Sequence, residues 1–270
     1  MKNSVTFGQL YPTNSFIHKM DARVKLLLTI IYIMATIFAD SYFSYVITAA
    51  VCLITIIVSK IPLHNAIKTV KPVIFIIILT ALINLFTIRE GEVLCSWWVF
   101  IITTGSIEFA VKMSLRLFLL VLGSTILTMT TSPMDLTDGI ESLLKPLKVV
   151  KFPVEDVSIV ISIALRYIPT LIDETDKIMM AQKARGSSID EGNIFKRLKA
   201  LVPVIVPLFV SAWRKSDELA LALDARCYKS GDRTKLKVHK LSYRDLIAAI
   251  FIIGYFAIVL VDKYIWLGVF

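Results

Sequence analysis

Residues 107–130 read IEFAVKMSLRLFLLVLGSTILTMT, and this run decides the fold class. A helix needs about 20 predominantly apolar residues, 17 to 25 as the usual range, to cross a bilayer. The run is long enough, and its charges, Glu108, Lys112 and Arg116, are confined to its first half at four-residue spacing. Glu108 and Lys112 are well-placed i,i+4 partners. The set reads either as an ion-pair ladder within a helical bundle or as a stretch partly outside the lipid. Outward from this segment, four more apolar runs lie at 24–39, 43–58, 72–88 and 246–261. The first two are parted only by Asp40, Ser41 and Tyr42, the spacing of a tight helical hairpin. Hydrophobic residues make up 56% of the chain and the mean hydropathy is +0.74, far above the balance of a soluble domain. The expected fold is an all-α integral membrane protein with about five transmembrane helices. No cleavable leader is expected, since the first run starts late and lacks a small-x-small exit.

The net charge of +9 raises the question of nucleic acid, and its distribution answers it. Of the 30 Lys and Arg residues, 26 lie before or at the very start of the first run, between the second and third, or between the fourth and fifth, Lys25 being the second residue of the first run. Positive charge collects on the cytoplasmic side of membrane proteins. The expected topology therefore has a cytoplasmic N-terminus and three parts. Residues 1–131 hold the N-terminal transmembrane helices, 132–244 a cytoplasmic region, and 245–270 the last transmembrane helix. Topology explains the charge, and no nucleic-acid partner is expected. Cys52, Cys95 and Cys227 show no CxxC spacing, so neither a disulfide framework nor a metal cluster is indicated.

The cytoplasmic region is too apolar for a flexible loop and too charged to span. Pro133, with Asp135 and Asp138 soon after it, opens one helix. A second is expected from about 154 to 185, bent or broken at Pro169, and a third from about 194 to 228, interrupted by Pro203 and Pro207. The last two end in one repeated pattern. Asp176, Ile178, Ala181, Ala184, Arg185, Gly186 recur 41 residues later as Asp217, Leu219, Ala222, Ala225, Arg226, Cys227. Each Ala pair, three residues apart, falls on one helical face and lets the helix seat deeply in a groove. The Arg beyond it carries five donors in a rigid fork suited to carboxylates and carbonyls. Two such plugs imply a partner with two sockets. Asp176 and Asp217 recur with the motif and have a supporting role in holding their helices.

In order and spacing, several motifs resemble one family. They are Tyr11-Pro12-Thr13-Asn14-Ser15-Phe16-Ile17-His18, Asp21-Ala22-Arg23-Val24-Lys25-Leu26, Thr130-Thr131-Ser132-Pro133-Met134-Asp135-Leu136, Arg166-Tyr167-Ile168-Pro169-Thr170-Leu171, Ala181-Gln182-Lys183-Ala184-Arg185-Gly186 and Glu218-Leu219-Ala220. Over nearly its whole length the chain is similar to the transmembrane T component of energy-coupling factor (ECF) transporters, bacterial importers of vitamins and transition-metal ions. The family's two Ala-Arg-Gly-like motifs match residues 184–186 and 225–227, with Cys227 in place of the second Gly.

The resemblance implies a non-catalytic scaffold in the bacterial cell membrane that needs no cofactor. Two cytoplasmic ABC ATPase subunits would hydrolyse ATP, with Arg185 and Arg226 inserted one into each. A small membrane-embedded substrate-binding (S) subunit would carry the substrate. The residues agree with this, since the chain has no G-x-x-x-x-G-K-[ST] phosphate loop. Two other classes remain open: a membrane prenyltransferase using Asp173 and Asp176 with magnesium, and a permease with its own substrate path. An isolated enzyme would turn over and a permease would bind solute, whereas a scaffold does neither.

Overall fold

A computed structural model describes residues 11, 13–89, 91–97, 100–146, 153–187, 194–229 and 242–267. The chain divides into two compact units, residues 1–142 with 237–270 and residues 143–236.

The first unit is a helical bundle. Helix α1 (Ala22–Phe38) begins on Asp21, whose carboxylate accepts from the Arg23 amide at 3.0 Å. Helix α2 (Tyr42–Ser59) starts on Ser41, whose hydroxyl accepts from the Phe43 amide, and ends on Lys60 in the left-handed region. These side-chain acceptors satisfy amides that a helix start leaves without partners. Helices α3 (Leu63–Thr87) and α4 (Thr104–Thr130) follow, then α5 (Pro133–Leu144), and α8 (Tyr243–Leu267) closes the unit. The segments α2, α3, α4 and Tyr243–Ile265 of α8 are long and apolar enough to cross a membrane. Helix α1 has 17 residues, about 25 Å of helix, the short end of what a span needs. The chain is thus an all-α membrane protein in architecture.

Four expected spans fall on α1, α2, α4 and α8. The fifth, 72–88, is only the later part of α3, which starts nine residues earlier. Lys68 and Lys71, read as loop, lie in its opening turns. Hydropathy registers apolar residues alone. The helix is held across Pro72 by packing, since Ala66 and Val70 are fully buried on its inner side. The hydropathy reading also places no element between 88 and 107. In the structure, β1 (Val93–Trp97) pairs antiparallel with β2 (Phe100–Thr103), with a bulge between Val93 and Cys95. A pair this short has too few residues to show a two-residue alternation.

The bundle core joins α1, α2, α4 and α8 through Tyr32, Ala35, Val51, Leu122 and Val259. The Tyr32 ring stacks with Tyr255 at 6.1 Å, and its hydroxyl donates to the Leu119 carbonyl at 3.1 Å. Gly123 lies directly beneath that ring. One polar pair joins α2 and α8: the Thr48 and Tyr255 hydroxyls meet at 2.8 Å. The charges of α4 split into two groups. Lys112 pairs with Glu108 at 2.7 Å, as their spacing predicts. Arg116 reaches the α1–α2 turn instead, at 2.9 Å from the Asp40 carboxylate and 2.6 Å from the Ala39 carbonyl. Lys263 of α8 takes the other Asp40 oxygen at 3.1 Å. One carboxylate therefore joins α4 and α8 to the hairpin turn.

The second unit contains α6 (Val154–Ala184) and α7 (Ile194–Ala225). Pro169 lies inside α6, and Pro203 and Pro207 inside α7; neither helix is interrupted at them. A proline removes one backbone bond but does not end a helix whose neighbours supply other partners. Contacts of Glu174 with Ser211 and Lys215, and of Gln182 with Pro203, show the two helices running antiparallel. Most of the stretch between them, 188–193, lies outside the described residues.

Candidate coupling site

The two repeats end in the same backbone structure. At the end of α6 the Gly186 amide donates to the Lys183 carbonyl at 3.0 Å, and the Ser187 amide to the Gln182 carbonyl at 3.0 Å. At the end of α7 the Cys227 amide donates to Asp224 at 2.9 Å, and the Tyr228 amide to Leu223 at 3.0 Å. Both sets are the paired 5→2 and 6→1 bonds of a Schellman cap, which use up carbonyls that a helix end would otherwise leave bare. The cap requires a left-handed residue just past the end. Gly186 supplies it at φ 84° and Cys227 at φ 53°. Arg185 and Arg226 occupy the equivalent position, immediately before that residue.

Ala181, Ala184, Arg185 and Gly186 are exposed, as are Ala222, Ala225, Arg226 and Cys227. Neither guanidinium has a side-chain partner among the described residues. Because α6 and α7 are antiparallel, the two caps lie at opposite ends of the pair. From Pro203, level with Gln182, to Arg226 is about 35 Å of helix. The repeat thus presents two copies of one plug, well apart, each a small-residue face followed by an exposed Arg.

Asp176 and Asp217 are also exposed, and neither carboxylate has a partner among the described residues. The pair of helices is held by Glu174, which accepts from Lys215 and Ser211. Those bonds, first the Lys215 ammonium and then the Ser211 hydroxyl, hold its carboxyl below the usual range. Within the acidic group at 173–176, Asp173 and Asp176 are exposed while Glu174 turns to α7. A second link was also missed in the sequence. The Gln182 amide nitrogen donates to the Pro203 carbonyl at 3.3 Å. That carbonyl is free because its usual donor, four residues on, is Pro207. Two prolines four apart were the signal.

Comparison with known proteins gives the family. A family model described as cobalt transport protein (CbiQ) matches residues 13–238. A Clostridium kluyveri protein named energy-coupling factor transporter transmembrane protein EcfT is 43% identical over 270 residues, covering 99% of this chain and 100% of the relative. The chain belongs to the CbiQ/EcfT family. The Staphylococcus aureus EcfT is 42% identical over 265 residues, 98% of this chain and 99% of that one. The Acidaminococcus fermentans EcfT is 44% identical over 243 residues, 90% of each.

Within this EcfT-family chain, Cys227 departs from the small-residue pattern in side chain only, since its backbone is that of Gly186. A left-handed conformation costs an L-residue roughly 1–2 kcal/mol. A Cβ at Gly186 would meet no atom within 4 Å, so any cost of substitution there is a backbone cost alone. Gly186→Val is therefore expected to fray the end of α6, with the Gly186 and Ser187 positions exchanging amide hydrogen several-fold faster. Cys227→Gly should leave the α7 cap at least as well protected. Unchanged exchange in Gly186→Val would refute the role assigned to the left-handed residue.

Proposed function

We propose that this protein is the energy-transducing membrane scaffold of an ECF importer. It lies in the bacterial cell membrane with its N-terminus in the cytoplasm. The parts are residues 1–131 as N-terminal transmembrane helices, 132–244 as the coupling region and 245–270 as the last transmembrane helix. Arg185 and Arg226 each dock into one of two cytoplasmic ABC ATPase subunits, with Ala181, Ala184, Ala222 and Ala225 seated in the groove walls. When the ATPases close on nucleotide, the two caps are drawn with them. The helix pair then shifts the small membrane-embedded S subunit, which brings in a vitamin or another micronutrient.

The observation that carries this reading is the duplication: two like caps, each with an exposed Arg that has no side-chain partner among the described residues, at opposite ends of one helix pair. A single protein partner has no use for two copies of one plug about 35 Å apart along a helix, whereas two copies of one ATPase fold do. The names of the relatives, transmembrane proteins of energy-coupling factor transporters, support the same assembly. The exposed apolar residues of α7, among them Phe195, Phe209 and Trp213, suit contact with the S subunit. Such a patch on a charged helix marks an interaction site.

A pull-down of the tagged protein from native membranes in mild detergent tests the proposal. Two ATP-binding subunits and a small membrane protein are expected in the eluate, together with ATP hydrolysis. A lone polypeptide that binds solute or turns over a prenyl substrate would overturn it.

A further inference from the structure

The chain leaves the membrane bundle after α4 and returns to it at α8, and both leads are tied to one turn of α1. On the way out, the Lys25 ammonium donates to the carbonyl of Thr130, the last residue of α4, at 2.9 Å. It also donates to the His18 carbonyl at 3.2 Å. Helix α5 follows immediately, and its Gly139 rides on the same turn. A Cβ there would lie 3.3 Å from the Ala22 carbonyl carbon and 3.3 Å from the Arg23 amide nitrogen. On the way back, Asp245 in the first turn of α8 accepts from the Asp21 amide at 3.0 Å and from the Ser242 amide at 2.8 Å. Lys25 is 6% exposed and Asp245 is 3% exposed. Residues 21–25 thus grip the end of α4, the face of α5 and the cap of α8.

These bonds are not what spanning a membrane requires. An ammonium and a carboxylate are held out of water on backbone groups, where charged hydrogen bonds are roughly twice as strong as neutral ones. Removing the ammonium leaves the His18 and Thr130 carbonyls without this donor, and removing the carboxylate leaves the Asp21 and Ser242 amides without an acceptor. The arrangement ties the end of α4, the face of α5 and the start of α8 to a single turn of α1.

We propose that the first turn of α1 is the anchor for coupling, with Lys25 and Asp245 as its positioning residues. The inference rests on the coupling function proposed above. Leads that slid independently would absorb a displacement of the coupling helices. Leads gripped together make the coupling region turn about one point and pass the displacement on.

Hydrogen exchange on the intact complex, copurified with its ATPases and small membrane subunit, tests this. In wild type, ATP binding should change exchange both in residues 153–229 and in the small subunit, while the Asp21 and Ser242 amides stay protected throughout. In Lys25→Met and in Asp245→Ala, the change in 153–229 should persist and that in the small subunit should fall at least fivefold. Lys25→Arg should restore most of it, which a merely destabilising substitution would not allow. Wild-type propagation in both Lys25→Met and Asp245→Ala overturns the anchor and leaves the docking reading standing. So does exchange at Asp21 or Ser242 that rises tenfold on ATP binding in the wild-type complex, a result independent of whether either variant assembles. Absence of ATPases from the wild-type complex overturns the docking reading itself.

Discussion

Replacing both Arg185 and Arg226 with alanine is expected to leave the protein in the membrane and strip it of its ATPase subunits. A hydrogen bond to a charged group contributes about 1.5–3 kcal/mol. With about 1.4 kcal/mol for each tenfold in affinity, one Arg lost weakens docking by roughly 10- to 100-fold. Two lost in series on one complex compound to roughly 100- to 10,000-fold. Each single variant should still recover ATPases at reduced yield, because the other cap remains, and ATP-driven uptake should fall in both. The cap residues are exposed, so folding is not at stake. Copurification of both ATPases with the double variant at wild-type stoichiometry would refute the assignment.

The second large effect is on the bundle itself. A Cβ on Gly123 would stand 2.1 Å from Cε1 and 2.6 Å from Cδ1 of Tyr32. The ring cannot step aside, since it is stacked on Tyr255 and its hydroxyl is held by the Leu119 carbonyl. Small residues at such crossings are what let transmembrane helices approach closely. Overpacking a full core costs typically 1–3 kcal/mol, and Gly123→Leu should reach or exceed the upper end. In a chain of this size that is a fall in Tm of about 6–12 °C, read by thermal unfolding in detergent. Adding Tyr32→Ala should recover part of the loss by opening the space the leucine needs. A Gly123→Leu protein with the wild-type Tm would show that α1 and α4 do not meet at this point.

Much of this was legible in the sequence, for physical reasons that differ from element to element. The spans on α1, α2, α4 and α8 are legible because a bilayer demands a long apolar run and tolerates little else. The start of α3 was not, because its first turns carry Lys68 and Lys71 and are held by Ala66 and Val70 packing inward. The Glu108–Lys112 pair follows from spacing alone, whereas the Arg116 contact with Asp40 joins residues 76 apart in the chain. No local pattern announces such a contact. The repeat was found by its offset, yet the shared cap was visible only in the backbone. A cysteine in the left-handed region is uncommon, and nothing about Cys227 as a letter foretells it. Lys25 and Asp245 read as ordinary helix-end charges until the fold brings the ends of α1, α4 and α8 together.

The prolines of α7 have a mechanical consequence. Pro203 cannot donate to the Lys199 carbonyl, and Pro207 cannot donate to that of Pro203. The two missing bonds are four residues apart, so they fall on one side of the helix. At Pro203 that is the side from which Gln182 of α6 approaches. A rod with its struts removed along one side has unequal flexural stiffness. It yields in the plane that contains the weakened side and resists in the plane across it. Under the coupling proposed above, a load at the Arg226 end would bend α7 toward or away from α6 with little sideways sway, in a direction set by where two amide hydrogens are absent.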